Sequence, residues 1–70
     1  MLGEQPATVV SVEPFAIHGM PMVDLVIRYT DGRMGSARIG AESIPDGLTA
    51  DDAVMVMHAA NMIVSVRRAD

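Results

Sequence analysis

Seventy residues form one small domain, able to bury only about 60% of the surface that its unfolded chain exposes, and this chain has no cysteine with which to staple itself. Five cations, all arginine, stand against nine acidic residues for a formal charge of −4, a balance that disfavours a phosphate backbone as partner. Disulfides and thiolate metal sites are excluded, and no apolar run approaches the ~20 residues of a membrane-spanning helix.

The chain starts with "MLGEQP", which reads as a flexible N-terminus over residues 1–6, leaving 7–70 as the domain. No basic stretch followed by an apolar one marks it as a leader, so the expected location is cytoplasmic. "ATVVSVEPF" is rich in β-branched residues, with Val10 and Val12 on one side and Ser11 and Glu13 on the other. It predicts a first strand ended by Pro14. "AIHGMPM" then reads as a Gly/Pro loop or an irregular strand edge.

"VDLVIRYT" alternates cleanly, with Val23, Leu25, Ile27 and Tyr29 on one face. Asp31-Gly32 follows as a hairpin signal. A three-residue loop, Thr30-Asp31-Gly32 with Gly32 left-handed, pairs Val23 with Ile39, Leu25 with Ala37 and Ile27 with Gly35 on the apolar face, and sets Asp24 across from Arg38. A two-residue loop would place Arg38 and Ser36 among the apolar side chains, so the three-residue register is expected.

Residues 40–53 are turn-rich, with room for a short helical turn. "LTADDA" also carries a capping box, Thr49 with Asp52, from which a helix could run to about Ala60. That helix would lack a polar face over 53–57, which a domain this small cannot accommodate. A hairpin is therefore preferred, looped at Ala59-Ala60-Asn61 with Asn61 left-handed. It pairs Val54 with Val66 and Val56 with Val64 on the core face, and puts Met55, Met57, Ile63 and Ser65 on the other.

Five strands result, at about 7–13, 22–30, 33–40, 53–58 and 62–68, the order of a small all-β barrel of the OB or SH3-like kind. "IPDGLTADDAVMVM" with "NMIVSVRR" resembles the closing hairpin of small OB-type accessory domains. Asp51 stands where such turns commonly have glycine. The resemblance implies a barrel and no particular function.

Nothing arranges a nucleophile with a base, so no enzyme and no cofactor are expected. His18 reads as a solvated loop residue and His58 as a strand-edge residue. "GRMGSARIG" lacks the strand-loop-helix context of a phosphate cradle. The aliphatic excess in a chain with only Phe15 and Tyr29 as aromatics points to burial between chains, hence to a homo-oligomer or a protein partner.

The candidate partner surface is Met55, Met57 and Ile63, unless Phe15 and Ile17 cover it as a second minor core. Single-stranded nucleic-acid binding is the alternative, through Arg28, Arg33, Arg38 and Tyr29. A third reading is Cu(I), a soft ion suited to thioether and imidazole ligands, with His18, Met20, Met22, Met57 and His58 as the donors. "HGMPM" is similar to the copper site of small periplasmic OB-type chaperones, although this chain has no Trp and no leader is expected for it.

Overall fold

The apolar-polar alternation resolves into five antiparallel strands in a computed structural model, which describes residues 2–69. They are β1 (Leu2–Ile17), β2 (Met20–Tyr29), β3 (Met34–Gly40), β4 (Ala53–Ala59) and β5 (Met62–Arg68), with one 3₁₀ turn at Ala41–Ser43. They form one sheet in the order β3-β2-β1-β4-β5. The sheet curls until β3 approaches β5, but no ladder joins those two edges. The sheet is thus not closed among the described residues, and the expected closed or half-closed barrel is not confirmed.

β1 is far longer than expected. Residues 2–6, read as a flexible start, are strand and pair with β4 from Leu2↔Ala59 to Thr8↔Ala53; Met1 lies outside the described residues. Pro14 does not end the strand either, because pairing with β2 continues to Ile17↔Met20. The "AIHGMPM" loop shrinks to a two-residue turn, His18-Gly19, with φ of 50° and 78°. Two left-handed residues are what a tight hairpin of type I′ requires.

Both prolines sit where β1 tolerates them. Val9 donates its N–H to Asp52 and accepts from the Asp51 N–H, so odd residues of the N-terminal arm face β4, and Glu4 and Pro6 face the other side. β2 begins to accompany β1 only at Ala7↔Tyr29. Pro6 therefore turns its missing donor toward an unpaired flank. The same alternation, counted from the Tyr29–Arg33 bond through β2, turns Pro14 toward the flank left empty where β4 has ended.

The β2–β3 register is the expected one, from Val23↔Ile39 to Arg28↔Met34, and Gly32 closes the loop at φ 90°. β4 and β5 form a hairpin rather than the alternative helix, but in a different register. The turn is Ala60-Asn61, Val56 pairs with Val66, and the ladder slips by one residue between Met57 and His58. Ala60, not Asn61, takes the left-handed conformation, at φ 54°.

That slip is a β-bulge at Val64, and a second lies at Val10, where the β1–β2 register shifts between Val9 and Ser11. Each inserts one residue, so the side chains beyond it change sides relative to simple alternation. Val9 and Val12 both face the core as a result, as do Ile63 and Val66, while Val10 and Val64 are exposed. The two bulges fall in near-identical tetrads, "VVSV" at 9–12 and "IVSV" at 63–66.

The core fills the inner face of the curled sheet. Val9, Leu25, Ile27, Val54 and Val56 are almost wholly buried, and Leu48 and Ile44 close over them from the 41–52 connection. That connection is held by Arg68, which donates to the Asp52 carboxylate at 3.2 Å and to the Asp46 carbonyl at 2.9 Å. Asp52 also accepts from the Thr49 N–H at 2.9 Å, tying a turn instead of starting a helix. Asp51, in the turn before β4, adopts φ 74°.

Candidate functional site

Ladder rows place the methionines. Pro6, Met55 and Arg67 form one row on the outer face, and Glu4, Met57 and Ser65 the next. Arg67 crosses β4 diagonally to grip Glu4 in a two-pronged ion pair of 2.8 and 2.9 Å. Met55 and Met57 are half-buried along the line that this pair crosses. The guanidinium beside Glu4 holds its carboxyl below the usual range.

Ile63 is not part of this face. The Val64 bulge turns it inward, to 9% exposure, and gives its expected place to Val64. Met62, opposite Ala59, adds a third methionine at 70% exposure. Phe15 and Ile17 do not cover the strip, since they lie on the other arm of β1; Phe15 packs under the Arg38 guanidinium, 4.7 Å from its ring centre.

The nucleic-acid set divides between faces. Arg28 and Arg38 share the outer face of β2–β3, where Asp24 binds Arg38 at 2.8 and 3.0 Å and has its carboxyl lowered by that contact. Tyr29 and Arg33 lie at the inner end of the sheet, with the guanidinium 5.4 Å from the ring centre. Asp31 binds Arg33 at 2.7 Å. Four of the five arginines are thus engaged by carboxylates, and a phosphate would have to displace them.

The metal set divides too. His18, Met20 and Met22 belong to the β1–β2 tip, whereas Met57 and His58 belong to the end of β4 beside Gly3 and Glu4. Met57 and His58 also point to opposite faces, as neighbours on a strand must. The five donors do not converge. No cluster of three His, Cys, Asp or Glu with metal-binding geometry occurs among the described residues.

One meeting was not expected from the sequence. Tyr29 Oη lies 2.6 Å from His58 Nε2, with the rings 5.6 Å apart and tilted 34°. β1 places Ala7 beside Tyr29 and Gly3 beside His58, so both rings lean over its N-terminal arm. The phenol rests against Gly35, where a Cβ would come 3.0 Å from the ring. Burial raises the Tyr29 pKa above its ordinary value, so it keeps its proton at neutral pH. His58 Nδ1 is buried without a partner.

Around the pair opens a cleft of about 360 Å³, walled by Gln5, Tyr29, Arg33, His58 and Asn61 with the Gly3–Glu4 backbone. The only sequence signal for it was parity, since Tyr29 and His58 both fall on the core side once β1 extends to Leu2. Comparison with family models, with curated proteins and with solved structures finds no match to this chain. No helix among the described residues is long and apolar enough to cross a membrane.

Proposed function

We propose that this chain is a non-catalytic interaction module that contacts a protein partner, in the first instance a second copy of itself, through the outer face of the β4–β5 hairpin. The observation that supports this is the apolar strip of Met55, Met57, Met62 and Val64. Met62 is 70% and Val64 39% exposed, and no other segment of the described chain lies over them. Methionine side chains adapt to irregular partners, and a contiguous exposed apolar patch on a small domain marks a contact surface. Glu4 and Arg67 supply a charged rim.

Strand addition is a poorer route to association along β1. The unpaired flank of each β1 arm carries a proline, which blunts an edge. Association is proposed face to face, on the methionine strip rather than along β1.

Light scattering after size exclusion tests this, on wild type and on Met62→Lys, Val64→Lys, which changes only exposed side chains. A wild-type dimer that becomes a folded monomer in the variant supports the proposal. A wild type that stays monomeric at about 1 mM, where an affinity is worth only about 4 kcal/mol, overturns self-association.

Single-stranded nucleic-acid binding is a second reading, favoured by one feature. The order β3-β2-β1-β4-β5 with a long shared β1, and with β3 approaching β5, is compatible with an OB-like sheet. The paired arginines and the net charge of −4 weigh against it. Salt-sensitive retention of single-stranded RNA on the immobilised protein would favour it over the first.

A further inference from the structure

The cleft at the Tyr29–His58 pair is distinct from the methionine face, and its chemistry is legible. We propose that it binds a nucleobase, as a free nucleoside or as one base of a single strand. Three observations point to a neutral, planar ligand with a donor beside an acceptor.

First, the charges at the rim are already matched. Arg33 is bound to Asp31 and Arg67 to Glu4, so a formal anion finds no unneutralised cation there. Second, the wall is aromatic, built from the Tyr29 and His58 rings, and the volume of about 360 Å³ falls at the small end of ligand sites, where one ring system fits.

Third, β1 offers an unused hydrogen-bonding edge. By the alternation fixed at Val9, the Glu4 main-chain N–H and C=O turn away from β4, and β2 stops short of them at Tyr29. A donor and an acceptor from one residue match the edge of a base, as a strand neighbour would. The adjacent Pro6 has no N–H to offer, so the edge ends at Glu4 on that side, with the Leu2 main chain turned the same way beyond it. Gln5 and Asn61 bring carboxamides to the same opening.

Arg33 acts as the cover. It lies over Tyr29 through an ion pair whose partners are 68% and 53% exposed. An exposed pair of this kind adds little stability, so the guanidinium can shift over the ring while Asp31, which also accepts from the Arg33 main-chain N–H, stays beside it.

The test is an amide-shift titration of the ¹⁵N-labelled full chain with adenosine, guanosine, cytidine, uridine and, as control, ribose, followed by a short oligothymidylate. Saturable shifts at Glu4, Gln5, Arg33 and Asn61 are expected with at least one nucleoside and not with ribose. Because a base stacks on the Tyr29 ring, Tyr29→Leu should weaken binding by about tenfold.

Asn61→Ala and Gln5→Ala, which leave the core untouched, should also weaken it, and they cover the case in which Tyr29→Leu does not fold. Tighter binding of the oligonucleotide at the same residues would identify a strand as the source, and equal or weaker binding a free nucleoside. Absence of saturable shifts with all four nucleosides and the oligonucleotide would overturn the proposal. So would shifts confined to the outer face, or shifts indifferent to these variants.

Discussion

Individual residues carry strain at the turns. Ala60 holds φ 54° at the β4–β5 turn, a position where a Cβ crowds the following carbonyl at a cost of about 1–2 kcal/mol. Replacing it with glycine relieves that crowding and loosens the unfolded chain, so Ala60→Gly should raise stability by up to about 1 kcal/mol. Urea unfolding with an unchanged slope and a higher midpoint would confirm it. A lower midpoint would mean that the turn tolerates the methyl without strain. Asp51, in the turn before β4, occupies the same region at φ 74°, which aspartate tolerates better than most residues because of its short polar side chain.

At the scale of the element, the two bulges decide which side chains face which way. Deleting Val64 would leave Ile63, Ser65 and Val66 in plain alternation, inner, outer, inner, with the pairs Met57↔Ser65 and His58↔Ile63 unaltered. That variant should melt cooperatively and lose one apolar side chain from the outer face. Deleting Val66 instead would drive Arg67 into the core and should abolish the cooperative melt, because an unpaired buried charge is strongly unfavourable. Circular dichroism melts of the two deletions separate a tolerant bulge from a required one.

The same bulges mark where the sequence was legible and where it was not. β2 and β3 alternate without interruption from Val23 to Ile39 and meet at a glycine turn, so their register followed from pattern alone. β1 and β5 break period two at Val10 and Val64, and a rule of strict alternation assigns Ile63 to the wrong face. The signal was present as inward residues three apart, Val9 with Val12 and Ile63 with Val66. The Tyr29–His58 cleft was hidden for another reason: it depends on residues 2–6 being strand, and their partners lie 49 to 57 positions away.

For the whole molecule, surface ion pairs make stability depend on acid. Glu4 and Asp24 titrate below their ordinary values of 4.5 and 3.8 because Arg67 and Arg38 donate to them. Asp31 and Asp52 do so chiefly because the main-chain N–H groups of Arg33 and Thr49 donate to them. With folded pKa values depressed, the unfolded chain takes up protons first. The contribution is thus complete above the ordinary values and is lost as pH falls through the depressed ones.

Tm should therefore be nearly level from about pH 7 to 5 and decline from about pH 4.5 downward. Added salt at about 1 M should flatten that decline by screening the exposed pairs. A Tm indifferent to acid would show that these contacts contribute nothing to the fold.

β1 lies at the centre of the sheet, with one hairpin fastened to each of its arms. During synthesis its N-terminal arm leaves the ribosome first, and its partner β4 follows only some fifty residues later. Until then the β1–β2–β3 meander can assemble while the Glu4 arm stays unpaired, with the Val9 and Leu25 side chains still open to solvent on one side. A chain that folded as it emerged would hold a half-sheet with its apolar face exposed until the β4–β5 hairpin covered it.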